Sequence, residues 1–405
     1  MKLYAHDVYP DVPSSYFRRA AAAMGWLVET SDQLLCGFGL PLRQLQIPLD
    51  DWTATSFTEL FRDLVTDSGQ PAIAFTICPF SSASTSIICV PEYTIIRSRS
   101  GRTQLLSTRS VAPRLEEFCV PPRPTLPTPV GTIDFHDTPS PEHYSAMVAS
   151  AVRAIKAGEL SKVVLARKIQ GRTRATISTA DIVERFHEKE PGATLYSFPI
   201  SPTSRITGAS PELLVEVTPT QIACRPLAGT VALRHENDEE HYTDWLLTSV
   251  KNQLEHRFVV DDIVERLEPF TDSVFADHTP KIMQLRLIAH LSTDILGHRN
   301  SSASDGLAVM AALHPTPAVG GSPRDTALSF IERLELGARG FYAGSVGYLD
   351  SDGNGQWWVT IRGIQSEGNK FEIWAGAGIV AESDPVAERE ETSSKLRSVA
   401  AGLVD

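Results

Sequence analysis

Three stretches near the C-terminus, GFYAGSVGYLD (340–350), QWWVTIRGI (356–364) and KFEIWAGAGIV (370–380), are dense in aromatic and β-branched residues. Only the short Gly- and Asn-bearing loops SDGNG (351–355) and SEGN (366–369) separate them. Loops this short join antiparallel strands, because a parallel pair needs a crossover of a dozen or more residues. A doubly wound parallel sheet is thereby excluded, and the fold class is α/β in the wide sense, or α+β, with substantial antiparallel sheet. A helix follows the meander, with Asp384 placed as N-cap and Pro385 at the first helical position.

Upstream, residues 141–159 carry Tyr144, Met147, Val148, Ala151, Val152 and Ile155 at helical spacing, stopped by Gly158. Strands are expected at 161–169, 193–198 and 212–217. A long helix is expected from Asp238 to Leu267, apolar on most sides and therefore buried. Residues 1–120 read as mixed short elements, with a strand at Ala72–Thr76 and a helix from Ser56 through SFTELFRDLVTDS, and no motif there carries chemistry. The proline-rich tract at 121–131 interrupts regular structure; it reads equally as a connector inside one domain or as a boundary. The length of 405 residues allows either.

Charge removes whole classes of partner. A formal net charge of −12 with no basic block repels phosphate backbones, so neither nucleic acid nor an anionic membrane is an expected partner. No apolar run approaches the length of a membrane helix or a signal peptide core, which makes a cytoplasmic location the expectation. The five cysteines are widely spaced without a CxxC pair and read as small buried hydrophobes.

Chemistry concentrates in the last helix. Glu388, Glu391 and Lys395 share a face with Val399 and Leu403, whereas Arg389, Glu390 and Arg397 point the other way. Either Glu391 and Lys395 form an ordinary surface pair, or inward carboxylates prolong the core stripe and meet a cation such as Mg²⁺. Glu255 is a candidate further ligand or a helix partner of Lys251. Arg362 alternates onto the side of Trp358 and Thr360 and, if that face is inward, suits a substrate carboxylate. Lys162 opens a strand, where it is either solvated or desolvated enough to act as a base. Glu212 is either a polar strand start or an acid, and His290 either a core histidine or a ligand or base.

These pieces coincide in GASPELLV (208–215), RPLAGT (225–230), KNQLEHRFVVDDI (251–263), LHPTPAVGGSP (313–323), the meander, and GAGIVAESDPVAEREETSSKL (376–396). Together, over about residues 135–403, they resemble the chorismate-utilising enzymes, and within that family most closely the isochorismate synthases. The resemblance implies one domain over 1–405, in which two largely antiparallel sheets pack together with helices outside; residues 1–120 match weakly and 121–131 become a connector. It implies that Lys162 activates a water to attack C2 of chorismate while Glu212 protonates the departing C4 hydroxyl. It assigns Glu255, Glu391 and Glu388 to Mg²⁺, and Gly229, Thr230, His290, Ala318, Tyr342, Arg362, Gly376 and Lys395 to the substrate pocket. Ala228 stands where aminodeoxychorismate synthases often carry a lysine nucleophile. Ala318 stands where salicylate and anthranilate synthases tend to carry threonine, and Gly320 departs from relatives with serine. The implied reaction is an isomerisation; the alternatives are a salicylate synthase that goes on to eliminate pyruvate, and an inactive chorismate-binding subunit. No glutaminase partner is implied, a monomer is expected, and the pathways open to such a chain are those of a siderophore, menaquinone or salicylate.

Overall fold

The computed structural model describes residues 1–123, 134–233, 239–286, 288–301 and 305–403. Most of the proline-rich tract, from residue 124 to 131, lies outside the described residues. The meander forms as its turns require: Ser345–Asp350 pairs antiparallel with Gly355–Val359, and Gly363–Glu367 with Lys370–Ile379. Apart from the short pairing of Lys2 and Leu3 with Val65 and Thr66, every strand pairing among the described residues is antiparallel. The fold is thus a mixture of helices and antiparallel sheet. Pairings link twenty strands into one network, and the longest strands, Gln33–Pro48 and Thr85–Ser98, pair through register shifts between Phe38 and Arg43. A separate three-stranded sheet contains Leu227–Ala232, Ile288–Ser292 and Lys281–Gln284.

The strand expected over 356–364 is broken. Arg362 takes a left-handed backbone conformation with φ 55°, which ends the Gly355–Val359 strand and starts Gly363–Glu367 in a new direction. The two halves pair with different partners, Leu213–Val217 and Ser204–Ser210, and that neighbouring chain also breaks, at Pro211 and Glu212. Two adjacent strands therefore open at the same level. The strict alternation expected of Arg362 fails for this reason: Ile361 and Arg362 end up facing the same cavity.

The Lys162–Arg172 strand is the spine of the site. It pairs with Lys370–Ile379 along its length on one edge, and on the other with Asp134–Thr138 and the two-residue Gly321–Ser322. Val163 and Leu165 enter one hydrophobic core and Ile169 a second. Arg167, buried on this strand, donates to Thr392 Oγ1 at 3.0 Å and Ser393 Oγ at 2.6 Å, fixing the last helix against it.

That helix runs Pro385–Ala400, and the Asp384 carboxylate accepts from the backbone N–H groups of Val386 and Ala387. The helix at Pro141–Lys156 buries the apolar face read from its spacing. The long helix expected over 238–267 is divided. Its described part comprises Glu239–Thr248 and Val250–Leu267, with the Ser249 hydroxyl capping the second half by accepting from Asn252 N–H. It is also one-sided: Val250 and Leu254 are exposed, whereas Asn252, Glu255 and His256 are buried beside Val259 and Ile263. The helix expected from Ser56 spans Ala54–Phe61 and stops where Arg62 turns extended. The N-terminal strands join the same network, Ile73–Cys78 on Ser345–Asp350 and Trp26–Glu29 on Thr194–Pro199. All five cysteines are free and buried. Among the described residues no helix is long and apolar enough to cross a membrane.

Candidate active site

Lys162 begins its strand with no exposed surface at all, so the solvated reading is excluded. Its Nζ lies 3.4 Å from both the backbone oxygen and Oε1 of Glu255, on the inward face of the Val250–Leu267 helix. The approach depends on the glycine at 378: a Cβ there would stand 2.0 Å from Glu255 Oε1 and 3.2 Å from Lys162 Cε. Burial pushes the Lys162 ammonium down in pKa, against the opposing pull of Glu255 and Glu212. Burial alone would raise the Glu255 carboxyl, but the ammonium groups of Lys162, Lys251 and Lys395 outweigh it and hold it below the ordinary value.

Glu212 sits in the strand break, 4% exposed. The Ser210 hydroxyl donates to Val359 O at 2.6 Å and accepts from Glu212 N–H, while Glu212 O accepts from Val359 N–H, so the break is held by its own hydrogen bonds. Burial pushes this carboxyl up to about 7, against the Leu227 N–H and the charges of Lys162, Lys395 and Arg362. A lysine shifted toward its neutral amine thus stands behind Glu255, and a carboxylic acid that titrates near neutral pH stands in the strand break.

Arg362 and Lys395 are the cations that line the cavity. Arg362 Nη2 is 3.3 Å from His290 Nε2, and His290 Nδ1 is 3.0 Å from Thr230 Oγ1. Guanidinium can only donate, so Nε2 accepts and Nδ1 carries the proton. Burial, followed by the charges of Lys395 and Arg362, keeps this imidazole neutral, far below its usual pKa. Lys395 Nζ bonds Gly376 O at 2.9 Å and Glu391 Oε1 at 2.7 Å, and both side chains are largely buried, so the pair is not a surface one. Tyr342 stacks on Trp374 with centroids 5.5 Å apart and planes 12° apart.

One cavity is lined by Glu212, Thr230, Glu255, His290, Ala318, Tyr342, Arg362, Gly376 and Lys395, which brings together most of the residues singled out from sequence. Lys162 and Gly229 do not line it. Lys162 stands one layer behind, against Glu255 and Gly378. Gly229, with φ +75°, shapes the cavity wall from behind: a Cβ would come within 3.0 Å of Asn252 Cβ. Glu388 and Glu391 line the adjoining wider hollow, which Thr230 shares.

The carboxylates at hand for a cation are Glu255, Glu388 and Glu391. Glu388 is buried and its Oε2 has no hydrogen-bond partner, while burial and the neighbouring Glu391 charge raise its pKa. Hard oxygens with an orphaned member suit a divalent cation. Among the described residues no three such groups stand close enough to hold an ion as they are. Lys251 supplies positive charge there, with Nζ 2.9 Å from Glu388 Oε1 and 3.7 Å from Glu255 Oε2.

Sequence reasoning noticed Lys251 only as a helix partner of Glu255. Its second contact, to Glu388, joins chain segments that no local spacing connects. Trp374 was missed altogether, although alternation with Gly376 and Gly378 in KFEIWAGAGIV places it on the same side of the strand.

Comparison with known proteins adds the following. A model of the family described as chorismate binding enzyme matches residues 89–404. The chain is 34% identical over 275 residues to isochorismate synthase DhbC of Bacillus subtilis, covering 66% of this chain and 69% of that protein. It is 34% identical over 264 residues to isochorismate synthase EntC of Escherichia coli, covering 64% and 67%. Among solved structures, MenF, the menaquinone-specific isochorismate synthase of Escherichia coli, superposes with a TM-score of 0.84 at 25% identity, over 99% of this chain and 94% of that one.

Proposed function

Because this chain belongs to the chorismate binding enzyme family, we propose that it is an isomerase converting chorismate to isochorismate, with Lys162 as general base and Glu212 as general acid. The observation that carries the reading is the pair of opposed environments: burial lowers the lysine that stands behind Glu255 and raises the carboxyl in the cavity wall, which is what base and acid work at the same pH requires. The Lys162 amine takes a proton from water as its oxygen bonds to C2. Both ring double bonds shift, C1=C2 to C1=C6 and C5=C6 to C4=C5, and the C4–O bond breaks as Glu212 delivers its proton, so the old hydroxyl leaves as water. Water is consumed and released in equal amount, and no other reactant is needed.

Arg362 offers a two-pronged contact to a substrate carboxylate, and Lys395 a second charge. Neutral His290 orients Arg362 through its Nε2. Tyr342, stacked on Trp374, provides a flat wall for the ring. We propose Mg²⁺ as cofactor, held by Glu255 and Glu391 with Glu388 close by; when bound it supplies positive charge for the ring carboxylate. Lys251 then has to yield its place between Glu255 and Glu388. A site of this kind also explains how an acidic chain binds a dianion, since the local field is reversed.

The test is incubation with chorismate, with and without Mg²⁺, followed by separation of products. Isochorismate as the dominant product is expected. Salicylate with pyruvate in equal amount would assign the chain to the lyase alternative, and no turnover would make it a binding subunit.

A further inference from the structure

Behind the cavity, the Lys162–Arg172 strand has a gap in one of its ladders. On the edge away from Lys370–Ile379, residues 162 and 163 pair with Gly321–Ser322 and residues 168–172 with Asp134–Thr138, which leaves the stretch between them without a strand partner. Unpaired backbone groups in a buried strand are costly. Here Val164 N–H donates to Gly320 O at 2.8 Å, and two side chains satisfy groups beyond it. Ala166 N–H donates to Glu335 Oε1 at 2.8 Å, and Val164 O accepts from Arg339 Nη2 at 2.7 Å.

The same guanidinium reaches across to the opposite wall. Its Nη1 donates to Val319 O at 2.7 Å, its Nε to Glu335 Oε2 at 2.8 Å, and its face lies 4.3 Å from the Phe80 ring centroid. Its own backbone oxygen accepts from Tyr342 N–H at 3.1 Å. Both side chains of the pair are almost wholly buried. Val164, Val319 with its neighbour Ala318, and Tyr342 all line the cavity. One buried arginine therefore ties together the strand that carries Lys162, the loop that carries Ala318, and the turn that carries Tyr342.

We propose that Arg339, oriented by Glu335, is a positioning residue that sets the distance between the base-bearing strand and the facing wall of the cavity. Neither side chain lines the cavity, so the effect is transmitted through backbone atoms. A lysine at 339 keeps the charge opposite Glu335 but has no planar fork with which to hold Val164 O, Val319 O and Glu335 at once. The proposal rests on the isomerase reading above.

Its test compares wild type with Arg339→Lys and Glu335→Gln, each normalised to folded protein by circular dichroism and thermal melting. Displacement of a base by about 1 Å costs on the order of 100-fold. Arg339→Lys is accordingly expected to lower kcat about 10- to 100-fold, with KM for chorismate within about threefold of wild type. Glu335→Gln, which keeps an acceptor for Ala166 N–H, is expected to lose less in kcat with the same unchanged KM. A purely structural role would lower the melting temperature and folded fraction but leave kcat per folded molecule as in wild type, and that result in both variants overturns the proposal. Wild-type protein that makes no isochorismate would instead bring down the functional reading, and the positioning role with it.

Discussion

Replacing Glu212 by glutamine should destroy activity and stabilise the protein, with the second effect confined to high pH. In the fold this carboxyl titrates near 7, against a usual value of 4.5, because it is buried. A carboxyl raised in this way opposes folding only where it is ionised in the unfolded chain. The penalty is absent below about pH 4.5, grows as pH rises, and levels off above about pH 7. The difference between the two values corresponds to roughly 3 kcal/mol at pH 8. Glutamine keeps an oxygen to accept the Leu227 N–H and carries no charge to bury. For a chain of this length the gain amounts to about 4 °C in Tm. Melting curves of wild type and variant at pH 8 and pH 4.5 should therefore diverge at the first and nearly coincide at the second. Turnover at pH 8 should fall by about 10²–10⁴, the usual share of a general acid. A variant no more stable than wild type at pH 8 would mean that the native carboxyl is ionised and satisfied, and the assignment of Glu212 as acid would be withdrawn.

Lys162→Ala should lose turnover by about 10²–10⁴ while still binding chorismate, measured by calorimetry; retained activity would remove the base assignment. Gly378→Ala places a methyl group 2.0 Å from Glu255 Oε1, so the carboxylate must swing off Lys162. Steady-state assays should show kcat reduced about 100-fold with a melting temperature only a few degrees lower, and normal kcat would show that the close approach is dispensable. Glu391→Ala should raise the Mg²⁺ concentration needed for half-maximal rate about tenfold or more, read from a titration after chelation. An unchanged titration would exclude it as a ligand.

Much of the scaffold was legible because it depends on neighbours in sequence. The loops at 351–355 and 366–369 dictate hairpins wherever they occur, and Asp384-Pro385 starts a helix by satisfying N–H groups two and three residues on. The shared direction of Glu388, Glu391 and Lys395 follows from the helical repeat alone. Their proximity to the site also follows from motif order, through the resemblance to a family whose residues occur here in sequence.

What remained open from sequence depended on chain segments far apart. Whether Lys162 is solvated could not be read from SKVVLARKI, since its burial is imposed by Glu255, 93 residues away, and by the glycine at 378. QWWVTIRGI has the pattern of one strand, yet it bends at Arg362 because its two halves pair with strands on either side of the break at Pro211 and Glu212. Arg339 and Glu335 lie past the end of the Arg324–Leu334 helix, and nothing in their local sequence marks them until the gap in the neighbouring ladder gives them backbone partners. Local periodicity sets which way a side chain points. Only tertiary packing decides how much water it keeps and which charges face it, and those two quantities separate a base and an acid from ordinary surface residues.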